Sequence, residues 1–260
     1  MTAPGVRWQL DGLAFTIALE AVGRDRLPYP LRYKPAFPET TEEFAARRAR
    51  SAQRLQQIYD ESFHRALEVL LEPRTRVEIQ GLHGPQQDQG VGIHAGIVDS
   101  EAVVAVQFSE RDRRGGGDIA LSCHPAHEVA QAIVAHLPRC AGGTEPRFEG
   151  RRSDLDAPVY SRHPTKLSDT ERLQRFLKRP RTGTGEITVY PGFEIDARPT
   201  DDGSGFLWLD YPGDGRYLMQ HHDTENFTVI PGPPEEIVRR LRARITSVSD
   251  RAARAGGHLR

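Results

Sequence analysis

Residues 75–137 alternate apolar and polar positions with a period of two and then shift to a helical period, and residues 184–248 repeat that grammar. In the first copy, strands are predicted at about 75–82, 92–98, 102–109 and 118–123, then a helix over 126–137 with Val129, Ile133, Val134 and Leu137 on one side. In the second, strands are predicted at about 184–190, 205–211, 215–222 and 225–230, then a long helix from Pro234 carrying Ile237, Leu241, Ile245 and Val248. The first copy opens on Arg76-Val77-Glu78-Ile79 and the second on Glu186-Ile187-Thr188-Val189, 110 residues later; they close on Pro125-Ala126-His127-Glu128-Val129 and Pro233-Pro234-Glu235-Glu236-Ile237, 108 residues apart. Two such units favour one large, pseudo-symmetric sheet. Val77 and Ile79 alternate with charged neighbours, which implies that one face of their strand is covered.

Ahead of the first copy, Trp8 and Leu10 fit a short strand, and Asp11 can cap a helix running to Val22, with Gly23 suited to its stop. Leu27-Pro28-Tyr29-Pro30-Leu31-Arg32-Tyr33 cannot be helical, because Pro28 and Pro30 lack N–H donors. Its apolar alternation is expected along a sheet edge. Thr40 with Glu43 forms a capping box for a polar helix over 41–59, and Phe63, Leu67, Leu70 and Leu71 stripe a second helix ended by Pro73. Residues 59–62 either continue or bend between the two. A further capping box pairs Ser168 with Glu171, ahead of Leu173, Phe176 and Leu177. Residues 191–204 read as a loop, Arg111 to Gly117 as a loose reversal, and the tail from Ala252 as a frayed end. The expected organisation is a single domain over 1–260, with halves at 1–137 and 168–250 joined by a proline-, glycine- and arginine-rich segment, 138–167.

Composition narrows the function classes. At 260 residues the chain can bury a large core, and 27% charged residues argues against wholesale disorder. A net charge of −1 supplies no general attraction for nucleic acid or an anionic membrane, so neither is expected as a partner. The arginines at 47, 48, 50 and 54 and at 239, 240, 242 and 244 read as solvated helix faces. No apolar run approaches the roughly 20 residues of a membrane span, and the first residues lack the core of a signal peptide, so the expected location is the cytoplasm. Two cysteines, Cys123 and Cys140, set no disulfide framework.

Chemistry is sparse. Cys123, His127 and Cys140 give three ligands at intervals of four and thirteen, where structural zinc wants four, and His221 and His222 point to opposite faces if they lie in a strand. Around Ser204 the glycine spacing departs from that of a nucleophile elbow. Arg181-Thr182-Gly183-Thr184-Gly185 lacks a phosphate-loop lysine and reads as a glycine-rich entry into a strand. The acids Asp223 and Glu225, set near Glu194 or Asp210, have no readable mutual geometry. No catalytic residue, cofactor site or metal site is assigned; an enzyme of unfamiliar type near His221, His222 and Asp223 stays open as an alternative. The candidate binding features are Phe206, Trp208 and Tyr217, as either core or contact patch, and the polar loop Pro85, Gln86, Gln87, Asp88 and Gln89.

Several ordered features resemble the EspG family, the cytosolic chaperones of type VII (ESX) secretion in actinobacteria. They are Trp8-Gln9-Leu10-Asp11 before a Leu/Ala helix, Leu27-Pro28-Tyr29-Pro30-Leu31, Arg181 to Gly185 entering a strand, Asp210-Tyr211-Pro212-Gly213-Asp214-Gly215-Arg216-Tyr217, and the final arginine-rich helix; together they span about residues 6–248. The resemblance implies an α/β (α+β) fold in which two strand-meander-plus-helix units, related by a pseudo-twofold axis, surround a largely antiparallel sheet with flanking helices. It implies no cofactor, and as partner a PE–PPE heterodimer held by the helical tip of its PPE subunit and kept soluble for export. Sheet face, C-terminal helical region and an early loop, here Pro85 to Gln89, are the implied contact regions. A non-secretory binding or regulatory module is the remaining alternative; monomer and homodimer are equally open.

Overall fold

A computed structural model describes residues 7–35, 40–109, 116–156, 167–193, 200 and 202–256. The reversal expected at Arg111 to Gly117, much of the loop over 191–204 including Glu194, the centre of the segment 138–167 and the last four residues lie largely or wholly outside the described residues.

Ten strands form one antiparallel sheet: β1 (Trp8–Leu10), β2 (Thr75–His83), β3 (Gln89–Val98), β4 (Glu101–Ser109), β5 (Ile119–Pro125), β6 (Phe148–Arg151), β7 (Gly183–Pro191), β8 (Ser204–Tyr211), β9 (Gly215–His221) and β10 (Asn226–Pro231). Their order is β1-β5-β4-β3-β2-β7-β8-β9-β10-β6. β2 and β7 lie side by side in the middle, with Ile79 opposite Ile187 at the centre of the register. A half-turn about that pair carries β2 onto β7, β3 onto β8, β4 onto β9, β5 onto β10 and β1 onto β6, which is the repeat seen in the sequence. The expected strands are present with small shifts at their ends. β6 is the addition: it lies inside the segment 138–167 and hydrogen-bonds to β10 from Phe148↔Val229 to Arg151↔Asn226.

The helices are α1 (Gly12–Ala21), α2 (Thr41–Ile58), α3 (Glu61–Leu71), α4 (Val129–Ala135, entered by a 3-10 turn at Ala126–Glu128), α5 (Arg152–Asp156), α6 (Asp169–Leu177) and α7 (Pro234–Gly256). Asp60 settles the junction after α2: its carboxylate accepts from Phe63 N at 2.7 Å and starts α3 as a separate helix. Both capping boxes form in full, Thr40 with Glu43 and Ser168 with Glu171. Glu235 and Glu236 occupy the first turn of α7, where negative charge complements the helix dipole.

The two sheet faces are covered differently. On the closed face, α4 and α7 lie over Val77, Ile79, Ile93, Val104, Ile187, Val189, Phe206 and Trp208, and Ile237 and Leu241 complete that core. On the other face, α1 and α3 cover the N-terminal half through Phe15, Phe63, Leu67 and Leu70, while α6 covers the C-terminal half through Leu173 and Phe176. Between those two groups no described helix covers the middle of the sheet. Residues 27–33 do not form the expected edge strand. They cross the open face, since their prolines cannot join a ladder and side chains satisfy their backbone instead: Gln107 bonds both Arg32 N and Arg32 O, and His94 Nδ1 meets Tyr29 O at 2.7 Å.

Candidate protein-binding face

Strand alternation builds the site. β2 turns Val77 and Ile79 to the closed face, so Arg76, Glu78, Gln80 and Leu82 face the other way; β7 turns Ile187 and Val189 inward, so Thr184, Glu186, Thr188 and Tyr190 join them. These side chains floor a trough of about 540 Å³ on the open face, with Tyr29, Thr200 and Leu207 also lining it. Tyr29, Leu82 and Phe193 are among the few large apolar side chains left exposed, at 46%, 43% and 45%. A helical turn roughly 10 Å across and 5.4 Å long displaces about 400–500 Å³, so the trough is of a size to seat the end of a helix.

A buried ion pair stiffens one end of the trough. Arg76 Nε donates to Glu78 Oε1 at 2.7 Å, Nη1 donates to Pro191 O and Gly192 O, and Nη2 donates to Thr200 Oγ1. Its guanidinium also lies 4.4 Å from the centre of the Tyr190 ring. Burial, then the Glu78 and Glu186 charges, push the Tyr190 phenol upward. The Tyr29 hydroxyl donates to Gln80 Oε1, which ties the crossing segment to the floor. Behind it, complete burial holds His94 down to about 4, with the Arg76 charge acting in the same direction. The imidazole is therefore neutral at physiological pH, and its Nδ1–H donates to the Tyr29 carbonyl.

A model of the EspG family matches residues 11–243 of this chain. The chain belongs to the EspG family. No curated protein matches it. Among solved structures it is similar to the Mycobacterium tuberculosis type VII secretion system chaperone EspG5, determined in complex with a PE25–PPE41 dimer. That likeness has a TM-score of 0.58 at 12% identity and covers 93% of this chain and 96% of that one, so it establishes a common fold.

In this EspG-family chain the loop and the aromatic positions part company. Pro85 and Gln86 are exposed in the β2–β3 turn, which follows the end of β2 at His83, next in the chain to the trough residue Leu82; Gln87 and Asp88 are half-buried, and Gln89 opens β3. Gln87 adopts φ 52, and its Nε2 donates to Arg181 O at 2.6 Å, fastening the turn to the approach to β7. Phe206, Trp208 and Tyr217, in contrast, do not form a contact patch: they are 2%, 0% and 0% exposed. Trp208 fills the closed face over Gly81 and Gly185, where a Cβ would stand 2.2 and 2.0 Å from its ring. Phe206 packs there beneath Arg244. Tyr217 lies under α6 against Phe176 and donates to Asp214 at 2.9 Å. Chain folding thus answers the open choice between core and patch in favour of core.

The polar groups of the other readings are occupied locally. Asp223 accepts from Glu225 N and Asn226 N in the β9–β10 turn, His222 meets Thr228 Oγ1 at 3.1 Å, and His221 packs on Phe227. Among the described residues no group of three His, Cys, Asp or Glu side chains could hold a metal ion. The trough residues were visible only as the polar half of an alternating pattern, which by itself reads as a solvated face.

Proposed function

We propose that this protein is a cytoplasmic chaperone of type VII secretion that seats the helical tip of the PPE subunit of a PE–PPE heterodimer in the open trough across β2 and β7. Family membership supports the chaperone role, and the partner class follows the EspG5 complex with PE25–PPE41. The observation that carries the location is the centre of the sheet that no described helix covers, a concavity with an apolar rim at Tyr29 and Leu82 and a polar floor. An exposed apolar helix end is an aggregation hazard, and a rigid sheet covers it with little ordering cost. The Pro85 to Gln89 turn borders the seat beside Leu82. The whole chain acts as one EspG-like domain, its halves meeting at β2–β7, and it binds and releases its client without turning over a substrate. Described helices include none long and apolar enough to cross a membrane.

Co-expression tests the proposal. A PE–PPE pair from the same organism that aggregates alone becomes soluble and co-purifies with the wild-type chain. Equal soluble yield with and without the chain, for every such pair, overturns it.

A further inference from the structure

The half-turn about Ile79 and Ile187 relates Arg76, Glu78 and Tyr190 to Thr184, Glu186 and Leu82. In the first set the three parts form a unit: Arg76 bonds Glu78 at 2.7 Å and stacks on Tyr190, its cross-strand neighbour. In the second set the carboxylate and the shelf remain, since Leu82 is the cross-strand neighbour of Thr184, but threonine stands where the arginine would be. Glu186 is exposed and accepts a hydrogen bond from Thr188 Oγ1 at 3.0 Å, and no cation pairs with it among the described residues. Among the described residues the trough is lined by one cation and two carboxylates, and the cation is held by Glu78, so these lining residues carry a net charge of −1 centred on Glu186.

We infer that Glu186 is a specificity-determining residue of the client seat, and that it takes an arginine or lysine from the helical tip of the client, with the stem of that side chain along Leu82. The inference rests on the chaperone function proposed above. A client that covers Glu186 without offering a donor strands a carboxylate away from water, whereas a client cation restores the arrangement that Arg76 completes in the other half. Selection among clients then comes from the penalty on the wrong partner as much as from the bond to the right one.

Calorimetric titration of a PE–PPE pair from the same organism into the full-length chain tests this, with wild type, Glu186→Gln, Thr184→Arg, Thr184→Met and the distant Glu42→Gln. Wild-type binding measures the seat itself. Glu186→Gln is expected to weaken binding at least about tenfold, the usual worth of a charge-assisted hydrogen bond. Thr184→Arg supplies the missing cation from within and is expected to weaken binding as much, and by more than the uncharged Thr184→Met at the same position, while the distant Glu42→Gln stays within about threefold of wild type. The loss in Glu186→Gln shrinks in high salt. Thermal melting of each variant checks that the fold is kept. Equal affinity of wild type, Glu186→Gln and Thr184→Arg overturns the inference and leaves the seat standing. Failure of the wild type to bind any pair overturns both.

Discussion

The two faces of the β2–β7 pair come from alternate residues of the same two strands, yet they have opposite fates. Val77, Ile79, Ile187 and Val189 are sealed beneath α7, while Arg76, Gln80, Thr184 and Glu186 on the reverse side border open space. Covering one face with helices gives the sheet its stability and frees the other from that duty. The polar residues of the open face can then be chosen for contact. Symmetry is broken on both sides by single residues. On the closed face one indole, from β8 only, fills the hollow over Gly81 and Gly185; on the open face one arginine, from β2 only, neutralises one of two equivalent glutamates.

Substitutions separate the two faces. Trp208→Ala empties the closed-face core and is expected to cost about 3–5 kcal/mol, read from the urea midpoint. Client binding per folded molecule should be unchanged. Arg76→Met leaves Glu78 charged and largely buried, an expected loss of about 3 kcal/mol, and Arg76→Met with Glu78→Leu recovers most of it. Failure of the double variant to recover would show that the bonds from Arg76 to Pro191, Gly192 and Thr200 matter more than the pair.

Acid offers a third separation. His94 is held at about 4, below its ordinary 6.5, so the unfolded chain binds the extra proton first. Stability is full above about 6.5 and falls as pH drops towards 4, by on the order of 2–3 kcal/mol, with burial of His83, His124 and His136 acting in the same direction. The carboxylates Asp214 and Asp223, held at about 2, act in a lower window: their contribution is present above about 3.8 and is lost as pH falls through about 2. Denaturant midpoints between pH 7 and 4 should slope less in His94→Gln than in wild type. Smallest of all in stability is Leu82→Asp on the open face, expected within about 0.5 kcal/mol of wild type while client solubilisation falls.

Much of this architecture is legible from residue order. Period-two alternation located the eight principal strands, and the Thr40–Glu43 and Ser168–Glu171 spacings located helix starts where both reciprocal bonds form. β6 was not legible, because Phe-Glu-Gly-Arg carries one apolar anchor and becomes a strand only by pairing with β10. The edge assigned to residues 27–33 failed for a similar reason: local alternation is silent on which neighbour supplies the hydrogen bonds. The trough was hidden because a polar strand face looks alike whether bare or built to receive a helix. Phe206 and Trp208 were ambiguous in the same way, since the helix that buries them begins more than 20 residues later, at Pro234.

Photo-crosslinking from the two faces shows which of them the client occupies. Leu82 and Phe108 are comparably exposed, at 43% and 50%, but lie on opposite sides: Leu82 lines the trough, whereas Phe108 pairs with Val91 of the closed-face core. With p-benzoylphenylalanine placed at each position in turn and a bound PE–PPE pair irradiated, crosslinks to the PPE subunit are expected from position 82 and none from position 108. Crosslinking from position 108 alone would contradict the trough as the client seat.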